Sequence, residues 1–210
     1  MDDENPVAFR PSSIVHRSWS KLMGLEIEKK YRLTREQNEQ LIRRLRESGA
    51  KPEGEEFEEN TIYAGGNLDL SRQVLRLRRV GERAILTYKE RADSTSAIKR
   101  HREDETRISD AASLADILAA LGYRPSLVYE KRRATWQLKE AEIVLDELPF
   151  GLFVEIEGEE NTITEVEELL GLKEAEAEMA TYPELARQYG RKSGEVIEAR
   201  FPQLPKPSKL

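Results

Sequence analysis

From residue 25 the chain alternates in character. Leu25, Ile27, Tyr31 and Leu33 fall on one parity, Glu26, Glu28, Lys30 and Arg32 on the other, and Lys29 is the one break on the apolar side. Residues two apart in an extended chain point the same way, so this run predicts a strand with one apolar and one charged face. Thr34 and Gln37 then make a capping box, opening a helix that carries Leu41, Ile42 and Leu45 and stops at Gly49. Similar patterns predict strands over 74–80, 83–90, 99–108, 127–136, 142–147 and 152–157. A second helix is expected from Ser109 or Asp110, using Leu114, Ile117, Leu118 and Leu121 and ending at Gly122. A third is expected from the capping box Thr162–Glu165 to Gly171, and a last one has Pro183 in its first turn and Gly190 after it. Residues 1–22 carry Pro6, Pro11 and several serines without a period and read as a flexible extension, with Met23 as an alternative start. Residues 201–210 are proline-rich and read as a disordered tail, which leaves 23–200 as one folded domain.

The charged faces of these strands are mostly of one sign each. Glu26 and Glu28 share a face with Lys30; Arg76 pairs with Arg78, Glu103 with Glu105, Lys131 with Arg133, and Glu155 with Glu157, while Lys89 and Asp146 close their strands. An antiparallel sheet with one wet face also alternates in this way. Opposite charges would suit a plain surface better than same-sign pairs repeated from strand to strand. If the helices cover the apolar outside of a curled sheet, the charges point inward and the sheet becomes a barrel with a polar lumen. Buried charges need partners. Acidic pairs can ligate divalent cations; basic pairs can bind phosphate oxygens, arginine as a fork and lysine as a point charge. A polyphosphate with its metals answers both demands.

Composition narrows the chemistry. The chain has 210 residues, 38% hydrophobic and 35% charged, with a net charge of −6 and a pI near 5.3. That is enough for one core, carries more charge than solubility requires, and argues against a broad nucleic-acid surface. Cysteine is absent, which excludes disulfides and thiolate sites, and the two histidines, His16 and His101, make a multi-histidine zinc site hard to build. A carboxylate site favours a hard cation such as Mg²⁺ or Mn²⁺. No apolar run approaches the roughly 20 residues of a membrane span. The segment Met1–Leu22 starts acidic and lacks the apolar stretch of a secretory signal, so a cytoplasmic protein is expected.

Glu26-Ile-Glu28-Lys-Lys30 resembles the ExExK signature of the CYTH superfamily, the triphosphate tunnel metalloenzymes. Leu-Arg76-Leu-Arg78, Thr87-Tyr-Lys89, Glu103/Glu105, Leu121-Gly122, Lys131-Arg-Arg133, Val144-Leu-Asp146 and Gly151-Leu-Phe-Val-Glu155-Ile-Glu157 follow in the family's order, across roughly residues 24–190. The resemblance implies an α+β fold: a closed antiparallel barrel of eight strands forming a tunnel, with helices packed outside. It implies Mg²⁺ or Mn²⁺ held by Glu26, Glu28, Glu103, Glu105, Asp146, Glu155 and Glu157, and a triphosphate held by Lys30, Arg76, Arg78, Lys89, Lys131 and Arg133. Glu28 and Lys30 are the expected catalytic residues. Relatives often add a basic residue from the C-terminal region, for which Arg191 and Lys192 are candidates. His101 stands where relatives often carry arginine, and the loop from Lys89 to Lys99 is long and polar enough to serve as a lid. The activity implied is hydrolysis of the terminal phosphate of inorganic triphosphate, thiamine triphosphate or a nucleotide. Class IV adenylyl cyclase, which makes cyclic AMP and pyrophosphate, is the rival reading. A non-catalytic polyphosphate-binding module is a third, and an RNA 5′-triphosphatase is disfavoured by the acidic balance and the lack of an aromatic platform. Some relatives form homodimers, but no segment of this chain identifies an interface.

Overall fold

The structure is a computed structural model that describes residues 25–91 and 98–202. The N-terminal extension, nearly all of the tail, most of the expected lid and the His101 side chain lie outside the described residues. In chain order the elements are β1 (Leu25–Leu33), α1 (Arg35–Glu47), β2 (Lys51–Gly65), β3 (Gln73–Val80), β4 (Arg83–Arg91), β5 (Lys99–Ile108) and α2 (Ala111–Ala120). They continue with β6 (Tyr123–Leu138), β7 (Ala141–Leu148), β8 (Gly151–Glu157), α3 (Glu160–Leu170), α4 (Tyr182–Tyr189), β9 (Arg191–Ser193) and β10 (Val196–Ala199).

Eight strands form a curled antiparallel sheet in the order β2-β3-β4-β5-β1-β8-β7-β6. β2 and β6, the first and last of that order, also pair with each other, from Lys51 opposite Gln137 to Gly65 opposite Tyr123. β10 lies parallel to β6 at Leu127–Tyr129, beyond the stretch paired with β7, and carries β9 on its other edge.

The outer face is apolar and covered. Leu41 and Leu45 of α1 and Ile163, Val166 and Leu170 of α3 pack on Tyr31, Ile143, Val154 and Ile156. α2 sets Leu118 and Leu114 against Tyr63, Leu77 and Ala84 on another part of the same outer face. α4 departs from the expected arrangement of helices outside. Its Tyr182, Leu185 and Ala186 pack on Ile62, Leu127, Tyr129, Leu148 and Phe153. Those strand residues share the parity of the charged face, so α4 fills one end of the inner side.

β2 is the eighth strand, and no alternation of apolar and polar residues marks it in the sequence. Its first half, Lys51–Glu59, is glutamate-rich and largely exposed, with low intrinsic strand preference. That half is held extended by β6 along one edge, and β3 joins the other edge only from Glu59 to Tyr63. The third helix starts at Glu160 after Glu159, not at Thr162; Glu159 makes no side-chain cap, and the Thr162–Glu165 box lies inside the helix. Its end is as expected: Gly171 sits in the left-handed region at φ 66°, where a side chain would also collide with Arg44. Among the described residues no helix is long and apolar enough to cross a membrane.

Candidate active site

The period of two carries the charged residues of each strand to the inner side, where one cavity of about 190 Å³ gathers them. It is lined by Glu26, Glu28 and Lys30 of β1, Arg76 and Arg78 of β3, Lys89 of β4, Glu103 and Glu105 of β5, Lys131 and Arg133 of β6, and Glu155 and Glu157 of β8. Two expected ligands are placed otherwise. Asp146 is buried and does not line this cavity, because Arg133 and Lys131 enclose it. Lys192 is exposed on β9 and Arg191 beside it is exposed too; the basic residue that the C-terminal region brings to the cavity is Arg187 of α4. A larger, more open groove of about 410 Å³ lies between α1, β2, β6 and β7, with Ile42, Phe57, Ala134 and Leu152 in its wall. The more enclosed cavity, on which polar groups from seven strands converge, is the stronger candidate for chemistry.

The charges form three linked groups. Lys89 Nζ lies 2.8 Å from Glu26 and is also paired with Glu103, which Arg76 approaches at 3.7 Å. Glu105 is shared by Arg78 at 3.3 Å and Arg76 at 3.5 Å, and accepts a hydrogen bond from the Thr87 hydroxyl at 2.8 Å. Burial would push the Glu105 carboxyl up, but Arg78 and Arg76 outweigh it and hold the group below its usual range. In the third group Arg133 grips Asp146 as a fork, at 2.8 and 2.6 Å, and donates to Glu155 at 2.9 Å. Lys30 lies 3.8 Å from Glu155. The Asp146 carboxyl stays low against its burial because Arg133 and Lys131 face it.

Two of the buried lysines, Lys30 and Lys131, sit over one ring. The Tyr182 centroid is 4.2 Å from Lys30 Nζ and 5.3 Å from Lys131 Nζ, a cation–π arrangement that α4 supplies. Burial, then Asp146 and Glu155, push the Tyr182 hydroxyl well above its ordinary value, so it remains a neutral phenol. Burial and the Arg133 charge push Lys131 down to about 8, with Asp146 and Glu58 pulling the other way.

Carboxylates also line up across strands. Glu28 of β1 stands opposite Glu157 of β8, which stands opposite Glu142 of β7, and all three line the cavity. Like charges directly opposite in a sheet are destabilising, and hard oxygen donors in such a row suit a divalent cation. Their oxygens are not gathered: among the described residues no group of three or more His, Asp or Glu is arranged to hold a metal ion. The row therefore fits a hard cation by donor chemistry, once its side chains turn toward a common point.

Several residues of the site escape the sequence patterning. Glu142 was legible in principle, since it shares parity with Asp146 four residues on. Tyr129 has the parity of Lys131. Glu58 sits in the strand that low β-propensity conceals. Tyr182 and Arg187 come from a helix whose place on the inner side only tertiary packing decides.

The model of the CYTH domain matches residues 24–188. Among solved structures, the PH1012 protein of Pyrococcus horikoshii OT3 is 28% identical with a TM-score of 0.67, covering 76% of this chain and 98% of its own. A Vibrio parahaemolyticus protein assigned as an adenylate cyclase is 22% identical with a TM-score of 0.60, covering 77% of this chain and 97% of its own. HpAC1 from Hippeastrum, assigned as an adenylyl cyclase and shown to have a dominant triphosphatase activity, is 18% identical with a TM-score of 0.63, covering 78% and 95%. At those two lower identities the likeness is one of fold. None of the curated proteins matches.

Proposed function

The chain belongs to the CYTH domain family, and from that premise we propose that it is a divalent-cation-dependent hydrolase removing the terminal phosphate of a triphosphate, with inorganic triphosphate as its preferred substrate. The observation that carries the reading is the lining of the cavity: paired cations and carboxylates throughout, with apolar wall confined to Leu70, Val74 and Pro183 and the two tyrosines. Tyr129 and Tyr182 are buried, and lysines already stand over the Tyr182 ring, so no ring face is offered to a stacked base. Arg72, Arg91 and Arg187 extend the cationic lining. Such a site rewards charge on the whole ligand.

We read the β2–β6 pairing as closing the sheet into a barrel, and α4 as making the tunnel blind at one end. The folded domain is taken as 23–200, with an extension on either side. Glu28, Glu157 and Glu142, with Glu26 beside them, would hold the cation. When bound, that cation supplies charge neutralisation on the phosphate chain and a water acidic enough to attack at neutral pH. Arg76 and Arg78 present guanidinium donors to non-bridging oxygens, Arg133, its fork held by Asp146, adds its charge, and Lys30, Lys89 and Lys131 act as point charges. Phosphoryl transfer needs mostly positioning and charge stabilisation, which an enclosed ring of fixed cations provides. Lys30 stands between Glu155 and the Tyr182 ring, 4.2 Å from its centroid.

The test is product analysis with Mg²⁺ or Mn²⁺ and three substrates: inorganic triphosphate, thiamine triphosphate and ATP. Orthophosphate should be released from all that react and fastest from the first. Glu28→Gln and Lys30→Met should each lower kcat about 100-fold or more, with the fold retained by circular dichroism. Cyclic AMP and pyrophosphate from ATP would replace this reading with a cyclase. Binding of all three without turnover would leave a polyphosphate-binding module.

A further inference from the structure

The carboxylate most deeply embedded in this ring of charges is one that the cavity does not expose. Glu58 of β2 has no accessible surface and is absent from the lining, yet three lining cations surround it. Its Oε2 is 3.4 Å from Lys131 Nζ and accepts a hydrogen bond from Asn60 Nδ2 at 3.2 Å. Its Oε1 is 3.7 Å from Arg78 Nη1 and 4.0 Å from Arg133 Nε, and accepts no hydrogen bond among the described residues. Register explains the convergence. Glu58 faces Lys131 directly across the β2–β6 pairing, and Asn60, two residues on, faces Arg78 across the β2–β3 pairing. β2 is thus the strand that lies between the two basic pairs.

We propose that Glu58 is a positioning residue: a permanent internal counter-ion that fixes Lys131, Arg78 and Arg133 from behind and lowers the affinity of their cluster for anions. The inference rests on the triphosphate reading of the same cavity. Asp146 is likewise buried behind Lys131 and Arg133, but it does not reach Arg78, whereas Glu105 and Glu155 open onto the cavity and are free to exchange partners when an anion arrives. Glu58 has no such route. Burial works against its charge, but Lys131, Arg133, Arg78 and Arg76 together keep it ionised. Two opposed effects follow. The negative charge subtracts from the potential that draws a triphosphate in, so ground-state binding is weaker than the cations alone would make it. The same charge holds the cations in one geometry, so more of their stabilisation is kept for the transition state.

A residue with these two effects has a signature that a merely structural one lacks. In Glu58→Gln, which keeps the shape and the Asn60 contact but removes the charge, both the dissociation constant for inorganic triphosphate and kcat should fall, each about tenfold or more. Binding is read by calorimetry with inorganic triphosphate in a chelating buffer, where turnover is suppressed, and kcat is read with Mg²⁺. Glu58→Asp keeps the charge but moves it, so its dissociation constant should stay within about threefold of wild type while kcat falls about tenfold. Unchanged or weaker binding in Glu58→Gln overturns the inference. Should that variant fail to fold, an undiminished kcat in Glu58→Asp overturns it equally. A wild-type protein that binds no triphosphate would instead remove the reading of the cavity, and this inference with it.

Discussion

Lys131 is held between two carboxylates, Glu58 at 3.4 Å and Asp146 at 3.5 Å, and still its ammonium is brought down to about 8. Burial is the larger effect, since moving a charge out of water costs more than either neighbour returns. The sign is clear for folding: a depressed lysine favours the folded state above its unfolded value, and that contribution is lost as the pH falls through about 8. For binding the sign is reversed, because the charged form is the one that meets phosphate. Triphosphate affinity in a chelating buffer should therefore decline as the pH rises through about 8, by about tenfold one unit above that point. Lys131→Arg, whose guanidinium does not titrate there, should remove this decline. The ratio of the two dissociation constants cancels the ionisation of the ligand itself, and a ratio independent of pH would assign the titration elsewhere. At this scale the chain is easily read. The parity of Glu26, Glu28 and Lys30 foretold their common face, and Lys131 and Arg133 likewise. Asp146 shows the limit: its parity was right, but whether it opens to the cavity or sits behind Arg133 depends on side-chain packing that no spacing records.

Elements were legible where local chemistry and tertiary demand agree. β1, with its regular alternation, and α1, with a complete Thr34–Gln37 box, are of that kind. β2 is not, because a run such as Glu55-Glu56-Phe57-Glu58-Glu59 has no local reason to extend; the β6 ladder along one edge, joined at Glu59 by β3 on the other, supplies the reason. α4 is the other case. Its capping box, Thr181 with Glu184, and its proline explain why a helix forms there, but its burial against the inner face comes from Leu185, Ala186 and Tyr182 meeting Phe153, Leu148 and Ile62. That packing ties stability to the site, since Tyr182 is also the ring beneath Lys30. Leu185→Ala should cost about 2–5 kcal/mol, read as a lowered denaturant midpoint. It should also raise KM for triphosphate as Tyr182 and the lysines above it lose their fixed positions. A normal KM at the reduced stability would confine α4 to a structural part.

The curled sheet combines an apolar outer face, covered by helices, with a charged inner face, the reverse of the usual arrangement inside a small barrel. It tolerates this because the inner cations of the strands already have carboxylates, such as Lys89 with Glu26, Arg78 with Glu105, Arg133 with Asp146 and Lys30 with Glu155. The pairs that run across the outer surface, such as Arg132 with Glu147 at 3.0 Å, are exposed and contribute little. Salt should separate the two populations. Enclosed pairs are screened weakly and exposed ones contribute little to begin with, so the melting temperature of the ligand-free protein should hardly change between low and high salt. A triphosphate entering from solvent is screened, so its effect should depend on salt. At about 100 times its dissociation constant, a ligand that binds only the folded state adds about 2.7 kcal/mol. For a chain of this size that raises the melting temperature by about 5–10 °C. Thermal denaturation in a chelating buffer, with and without inorganic triphosphate at fixed concentration, should show that rise at low salt and most of it lost at high salt. A rise that salt leaves untouched would mean that the anion binds through something other than this ring of charges, and a ligand-free melting temperature that falls steeply with salt would mean that the inner pairs are open to solvent.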